Sequence, residues 1–331
     1  MNGTGEALPT IDVVIVNYRT GPLVVSCLES LEDARRGDGP VRRAIVVDNA
    51  SPDASADVIE SAIAARGWDW VTLLRSPDNG GFGAGNNLGI AWSLAQPERP
   101  DLVWLLNPDT RAEPDAAAAL ARFMAANPRA GIAGSALLEG DGRPWHYAFR
   151  FPGILGEVER GFHWGPVSKV LRRSATLRAM GSASEQVDWV SGASCVLRRE
   201  LLEQGLRFDE GFFLYYEETD LCRRARQAGW ECWFVPQSRV LHISGQSTGV
   251  TDVENRLRPL PSYWFDSRRR YFVKNHGVAY TALADLGWLA GHLFASAKQR
   301  LRREPDFAAP GLTAAFIRHA LRLTRPERNA A

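Results

Sequence analysis

Four places along the chain carry side chains able to do acid–base or ligand chemistry. Asp48 closes one apolar run and Asp109 stands in Asn107-Pro108-Asp109 after another. Glu217, Glu218 and Asp220 crowd the segment behind Phe212-Phe213-Leu214-Tyr215-Tyr216, and His242 ends a further apolar run. A carboxylate at a strand end accepts hydrogen bonds from a base or ribose, or holds a hard divalent cation that bridges diphosphate oxygens. A carboxylate at the rim of an aromatic pocket is pushed toward the working range of a general base. Ordinary structural roles compete with these. Asn-Pro-Asp is a good turn sequence, and acids in the first turn of a helix gain about 0.3–1 kcal/mol each from its dipole. The position after a buried strand favours a ligand role for Asp109, and the dipole leaves the aromatic shelf ahead of the three carboxylates unexplained. A lone histidine is more often a satisfied core or surface residue. The Ser244-Gly245-Gln246-Ser247-Thr248 stretch after His242 favours a metal or phosphate contact on a mobile segment.

A glycine-rich segment, Asn79-Gly80-Gly81-Phe82-Gly83 with Gly85 and Asn86, completes the set. Closely spaced glycines let backbone approach a ligand, as a nucleotide requires. The dinucleotide-binding fingerprint GxGxxG follows the first strand of its domain. Here the glycines follow the third strand at different spacing, which disfavours a nicotinamide or flavin enzyme.

These residues need a frame that gathers them. Apolar runs at 11–16, 44–47, 71–74, 102–106 and 132–134 alternate with helical patterns at 22–33, 55–66, 85–94 and 114–127. That order predicts a doubly wound, mostly parallel α/β sheet, with each strand covered on both faces. Such sheets bind ligands at the carboxyl ends of their strands, where Asn17-Tyr18-Arg19-Thr20, Asp48-Asn49-Ala50-Ser51, the glycine segment and Asn107-Pro108-Asp109 all fall. From 140 to 185 the periodicity is lost, which predicts a long, partly mobile excursion that carries acceptor contacts. Beyond it, 187–197 reads as a strand, 217–228 as a helix, and 231–235 and 239–243 as two strands. The segment after Arg256 is helical in tone.

Composition bounds the class. The 331 residues are 45% hydrophobic, 10% aromatic and 23% charged, which excludes disordered, collagen-like and coiled-coil chains. Four scattered cysteines, Cys27, Cys195, Cys222 and Cys232, form no metal-binding spacing and read as buried free thiols. The run at 11–16 lacks the basic region and cleavage site of a signal peptide, so a cytoplasmic protein is expected. A net charge of +1 hides an asymmetry: residues 256–331 hold 14 Lys+Arg and 5 Asp+Glu, a balance of +9 against −8 for the rest. A basic tail meets anionic lipid, phosphate or nucleic acid, and a solvated helical surface explains it equally well. Without a recognisable module with interleaved aromatics, nucleic acid is set aside. The run 278–297 carries Asp285 and His292, which makes it a poor spanning helix. Flanked by Arg268-Arg269-Arg270 and by Arg300, Arg302 and Arg303, it is suited to the headgroup plane or to packing against the body.

Taken together, the motifs resemble glycosyltransferase family 2, inverting transferases of GT-A fold, in its rhamnosyltransferase-like subgroup. The resemblance runs from about Ile11 to Thr248. Val14-Ile15-Val16-Asn17-Tyr18 and Val46-Val47-Asp48-Asn49-Ala50-Ser51 match the base and ribose contacts, and Asn79, Gly81 and Asn86 the glycine loop that lines the nucleotide. Asn107-Pro108-Asp109 stands at the Asp-x-Asp motif with Asn in the first place, which implies a metal-ligand role for Asp109. Trp189-Val190-Ser191-Gly192-Ala193 matches the sugar and acceptor pocket, with Trp189, Ser191 and Gly192 as its contacts. Glu217-Glu218-Thr219-Asp220 matches the Glu-Asp signature, which implies Glu218 as catalytic base, with Glu217 and Asp220 as alternatives. His242 resembles the histidine that completes the metal site.

The resemblance implies a GT-A domain over 1–250, its nucleotide half 1–135 and acceptor half 136–250, followed by a basic helical region over 251–331. It implies a Mg²⁺ or Mn²⁺ cofactor and transfer from dTDP-rhamnose to a polysaccharide or polyprenyl-diphosphate-linked glycan. The expected setting is the cytoplasm or the cytoplasmic face of the inner membrane, with the C-terminal region touching the membrane. UDP-hexose or UDP-galactofuranose donors, and a sugar-nucleotide-binding protein without turnover, are the alternatives.

Overall fold

The computed structural model describes residues 7–36, 39–140, 142–144, 148–178, 180–243, 259–304 and 308–321. The N-terminal part alternates strand and helix: β1 (Ile11–Asn17), α1 (Gly21–Arg35), β2 (Val41–Asp48), α2 (Ser55–Arg66), β3 (Val71–Arg75), α3 (Gly81–Leu94) and β4 (Leu102–Leu106). There follow β5 (Thr110–Ala112), α4 (Ala116–Ala126), β6 (Ala130–Leu138), β7 (Ala148–Phe149), α5 (Ile154–Phe162), α6 (Gly165–Leu171), β8 (Glu185–Val187), β9 (Trp189–Val190), β10 (Ser194–Arg198) and α7 (Arg199–Glu203). The chain ends with α8 (Glu217–Gln227), β11 (Glu231–His242), α9 (Ser262–His276), α10 (Val278–Arg302) and α11 (Leu312–Leu321).

Among the described residues, nine strands form one sheet in the order β3-β2-β1-β4-β10-β6-β11-β5, with β8 paired to β11. β1 pairs in parallel with both β2 and β4, so the strand order reverses beside β1 and opens a crevice at the carboxyl ends. Every residue of β1 and of β4 is buried, because helices cover both faces; that is why these strands are continuous aliphatic runs. β10 enters antiparallel between β4 and β6. Its Ser194 hydroxyl accepts from the indole of the fully buried Trp104 at 3.0 Å and bonds Ser135 at 2.7 Å, and Ser135 bonds Ser238 at 2.7 Å. The chain of hydroxyls satisfies the polar groups this core encloses. All four cysteines are buried free thiols, as expected, with Cys222 and Cys232 sulfurs 3.9 Å apart.

The structure redraws several expected boundaries. The 187–197 strand is broken into β9 and β10 by the turn at Ser191–Ala193, and the strands at 231–235 and 239–243 are one strand, β11, with an irregularity between Val235 and Arg239. The 140–185 excursion holds two helices, α5 and α6. A Cβ at Gly287 of α10 would lie 2.7 Å from Val158, and one at Gly161 of α5 would collide with the Trp288 carbonyl, so the two helices cross closely through glycines. α5 carries an apolar stripe of Ile154, Val158 and Phe162, but it has only nine residues and α6 only seven, too few turns for a clear helical period.

The basic run 268–270 belongs to the fold rather than to an exposed flank. Arg268 is buried, paired to Glu157 at 2.7 Å and to Asp285 at 2.5 Å. Arg270 bonds Asp209 at 2.8 Å, and Arg269 donates to the Ala320 carbonyl at 3.1 Å. No helix among the described residues is long and apolar enough to cross a membrane.

Candidate active site

The crevice beside β1 contains a cavity of about 140 Å³ lined by Val16, Tyr18, Asn49, Asn79, Gly81, Phe82, Asn107, Pro108, Phe213 and Leu214. Its floor is held by the loops after β1 and β2. The Asn17 amide donates to Asp48 Oδ1 at 2.6 Å and to Ser51 Oγ at 3.2 Å, and Asp48 Oδ2 accepts from the Ser51 N–H at 3.1 Å. Asn17 Oδ1 accepts from the Thr20 N–H and hydroxyl at 3.1 and 2.8 Å. Asn17 and Asp48 therefore brace the loops from below, and Tyr18 reaches the cavity wall.

The glycine segment forms the opposite wall. Asn79 Oδ1 accepts from the Gly81 N–H at 3.0 Å and the Asn49 amide at 2.9 Å, and Asn49 also donates to the Gly81 carbonyl at 3.0 Å. Gly81 has φ of +86°, and a Cβ there would collide with the Phe213 carbonyl, so only glycine fits. The Phe82 N–H donates to that carbonyl at 3.0 Å, which ties α3 to the loop ahead of α8. Asn86 is buried within α3 and donates to the Phe82 carbonyl at 2.9 Å; it supports the wall without lining it.

Asp109 and His242 meet because β5 pairs antiparallel with β11. The register sets Thr110 opposite His242, and the Ile243 N–H donates to the Asp109 carbonyl at 2.9 Å. His242 Nε2 lies 3.4 Å from Asp109 Oδ1. Asp109 Oδ1 and His242 Nδ1 are buried without a hydrogen-bond partner among the described residues. The Asp109 carboxylate oxygen and the His242 Nε2 that faces it are a donor pair that fits a divalent cation, while the open Nδ1 lies at the other nitrogen of the ring. No group of three or more His, Cys, Asp or Glu side chains that could hold a metal occurs among the described residues. Further ligands would have to come from a bound diphosphate or from water. The Ser244-Gly245-Gln246-Ser247-Thr248 stretch lies outside the described residues.

The carboxylate cluster opens α8. Tyr215 and Tyr216 both adopt positive φ, +71° and +67°, a backbone that costs about 1–3 kcal/mol for a residue with a side chain. Packing holds it: Tyr216 lies 5.5 Å from Tyr271 and 6.4 Å from Trp264, ring centre to ring centre. The reversal separates the two glutamates. Glu217 packs beneath α3 beside Gly83 and Phe208, and Glu218 packs beside Gly192 and Phe82 of the cavity wall. Burial pushes both carboxyls up. Glu217 rises further because Glu218 adds like charge, and backbone N–H groups at Gly192 and Thr219 hold Glu218 partly down. One oxygen of each is buried without a partner among the described residues. Asp220 differs, with Arg224 at 2.7 Å, Lys274 at 2.8 Å and Asn275 at 3.3 Å engaging its carboxylate.

Of the residues expected at the sugar and acceptor pocket, Gly192 touches the site through Glu218 and Phe82. Ser191 Oγ accepts from the Ala193 N–H at 3.2 Å and shapes the turn between β9 and β10. Trp189 stacks on Phe149, centres 4.0 Å apart, and donates to the Arg150 carbonyl at 2.9 Å.

With that geometry in view, the relatives are informative. A family model described as glycosyltransferase like family 2 matches residues 9–258. The chain belongs to this family. As a family 2 glycosyltransferase it is similar to the N-acetylglucosaminyl-diphospho-decaprenol L-rhamnosyltransferase of Mycobacterium tuberculosis, 30% identical over 72% of this chain and 78% of the relative. Among solved structures it is similar to GalNAc-T7 with UDP, GalNAc and Mn²⁺, with a TM-score of 0.59 and 14% identity, covering 95% of this chain and 57% of that one. It is also similar to the mannosyltransferase PcManGT of Pyrobaculum calidifontis in complex with GDP-Man and Mn²⁺, with a TM-score of 0.54 and 14% identity, covering 94% and 79%. These establish the GT-A fold. Residues that sequence reasoning did not single out are Asn49, which bridges two walls of the cavity, and Phe213 and Leu214, which close it. Asn49 lies inside a motif already read as a nucleotide contact; the two apolar residues carry no chemical signal of their own.

Proposed function

We propose that this glycosyltransferase is a divalent-cation-dependent inverting enzyme that moves a sugar, rhamnose first among candidates, from a nucleoside diphosphate donor to a lipid-linked glycan. The observation that carries the reading is the set of buried polar atoms without partners among the described residues: Asp109 Oδ1, His242 Nδ1, Glu217 Oε2 and Glu218 Oε2. Leaving such a group unsatisfied costs about 1–3 kcal/mol, so the two pairs, one at the β5–β11 junction and one at the start of α8, mark places built to be completed by a ligand.

In this reading Tyr18, Asn49, Asn79 and Gly81 hold the nucleotide over the cavity, with Asn17 and Asp48 bracing the floor, while Trp189, Ser191 and Gly192 shape the sugar and acceptor side. Residues 1–135 serve the donor and 136–250 the acceptor. Asp109 and His242 would hold Mg²⁺ or Mn²⁺, which supplies positive charge to the departing diphosphate. Glu218 takes the proton of the acceptor hydroxyl as that oxygen attacks the anomeric carbon from the face opposite the leaving group. The bond from the anomeric carbon to the diphosphate oxygen breaks, and the diphosphate leaves with the electron pair. A single displacement inverts the centre. Burial suits Glu218 to this role, since a raised pKa gives the carboxylate more affinity for a proton. Glu217, turned beneath α3, acts through its neighbour, and Asp220 is committed to its cations.

The acceptor class rests on the mycobacterial relative's name, which specifies a diphospho-decaprenol carrier; an enzyme using such an acceptor would work at the cytoplasmic face of a membrane. dTDP-rhamnose is favoured as donor over UDP-hexose and UDP-galactofuranose. Nucleoside diphosphate release from a panel of dTDP-, UDP- and GDP-sugars with Mn²⁺ and a polyprenyl-diphosphate-linked acceptor tests the reading. Release that depends on acceptor and falls with Glu218→Gln supports it. A protein that binds nucleotide yet releases none from any donor would be the non-catalytic alternative.

A further inference from the structure

We propose that the outer face of α10, joined by Trp164 and α6, is a docking surface for an anionic lipid bilayer. The inference rests on the proposed lipid-linked acceptor for its purpose but on separate residues for its argument. α10 is 25 residues long. One side, Ala284, Asp285, Trp288, Gly291, His292 and Ala295, is buried against the body. The other side carries Leu283, Leu286, Leu293, Phe294 and Leu301, whose spacing keeps them on one stripe of a 3.6-residue helix. Their exposures run from 41% to 86%. Isolated exposed leucines are ordinary; four aligned with a phenylalanine on one helix are a contiguous apolar surface that marks an interaction site.

Neighbouring residues extend the stripe. The Trp164 ring, 40% exposed, lies 5.4 Å from Phe294, and the Lys298 ammonium donates to the His163 carbonyl at 3.2 Å, so the start of α6 sits beside α10. α6 adds Val170, 82% exposed. Tryptophan at the border of an apolar face is characteristic of the headgroup level.

Charge selects the partner. Residues 163–178 and 286–303 together contain eight Lys and Arg and no Asp or Glu. Among the described residues Lys169, Arg172, Arg173, Arg300 and Arg303 have no acidic partner, whereas Arg178 is spent on Glu185 and Arg302 on Glu304. The acids bordering these stretches are engaged: Asp285 pairs with Arg268, Glu304 with Arg302, and Glu159 accepts from Ser168 at 2.7 Å. An apolar stripe edged by unpaired cations fits anionic headgroups above acyl chains. A second copy of the same surface would set cation against cation. The charge comes from Lys169 of α6, from Arg172 and Arg173 just beyond it and from Arg300 and Arg303 at the end of α10, and not from Arg268-Arg269-Arg270, which the fold consumes. α5 connects this face to the segment ahead of α8: Phe162 lies 5.3 Å from Phe294, and the Arg160 guanidinium lies 5.4 Å from the Trp264 ring, which is 6.4 Å from that of Tyr216, the residue before Glu217.

Flotation of the full chain with phosphatidylcholine vesicles, with and without phosphatidylglycerol, tests the proposal. Wild type is expected to float with the anionic vesicles and to be released by salt. Lys169→Gln/Arg172→Gln/Arg173→Gln should weaken partitioning on the order of a hundredfold, and Leu286→Glu/Leu293→Glu should abolish it with an unchanged melting temperature. Wild type that stays unbound to anionic vesicles at low salt overturns the proposal, as does a Leu286→Glu/Leu293→Glu protein that binds as wild type does. A wild-type dimer in light scattering that this double variant splits, with no vesicle binding by either, makes the stripe a seam between copies and overturns it as well. Vesicle binding is read without donor and donor turnover without vesicles, so failure here is distinguishable from failure of the transferase reading.

Discussion

The loops after β1 and β2 and the acidic groups at the β5–β11 junction and the start of α8 treat their polar atoms in opposite ways. Around β1 and β2 the side chains satisfy one another: Asn17, Asp48, Ser51 and Thr20 form a closed set, and Asn49, Asn79 and Gly81 another. At the β5–β11 junction and at the start of α8, Asp109, His242, Glu217 and Glu218 each leave an atom buried and unmatched among the described residues. The closed set holds a rigid cradle before any ligand arrives. The open set stores a demand for charge that a substrate complex meets. Preorganisation of that kind is where an enzyme places its electrostatic stabilisation, because no reorganisation is needed at the moment of reaction.

Each half of this contrast can be broken by one substitution, and the largest effects belong to the open set. Glu218→Gln should lower turnover by about 10²–10⁴-fold, the usual contribution of a general base, with little change in the thermal shift caused by nucleoside diphosphate; retained turnover would move the base elsewhere. Asp109→Asn should cost about 3 kcal/mol of transition-state stabilisation, roughly a hundredfold in rate, and should abolish any Mn²⁺-induced rise in melting temperature while leaving the metal-free protein folded. In the closed set the expected damage is to structure. Asn17→Ala leaves Asp48 Oδ1 without its 2.6 Å donor and should destabilise by about 1–3 kcal/mol in urea unfolding, with nucleotide affinity falling alongside.

The smallest effect sharpens the comparison through pH. The Glu217 carboxyl is raised by burial and by Glu218, so the folded state holds its proton more tightly than the unfolded chain does. Stability is then greatest below the free-glutamate pKa of about 4.3 and declines as pH rises through the raised value. Glu217→Gln has no such decline. It should melt a few degrees above wild type at pH 8 and converge with it at pH 4; a difference that grows toward acid would reverse the assignment.

Much of this protein was legible in one dimension. The strands at 11–16 and 102–106 are visible because burial on both faces demands unbroken aliphatic runs, and helix 55–66 coincides with α2. Polar loops after those strands mark the rim by position alone. The 140–185 region is opaque because its helices, α5 and α6, have only nine and seven residues, too few turns for a helical period to stand out. The basic run at 268–270 was read as a flank, since nothing local reveals that Glu157 and Asp285 would enclose Arg268.

What the amino-acid order determined by itself is the succession of strands and helices, the chemical types available at each loop, and the glycine required where backbone must take positive φ at Gly81. These depend on interactions between residues a few positions apart. Only the tertiary structure decided that β5 would lie against β11 and so bring His242 to Asp109, that the Tyr215–Tyr216 reversal would send Glu217 and Glu218 to different sides, and that Trp164, ahead of α6, would lie against Phe294 of α10. Those outcomes depend on which distant segments share a burial, a choice made by the packing of the whole chain and not by any short stretch of it.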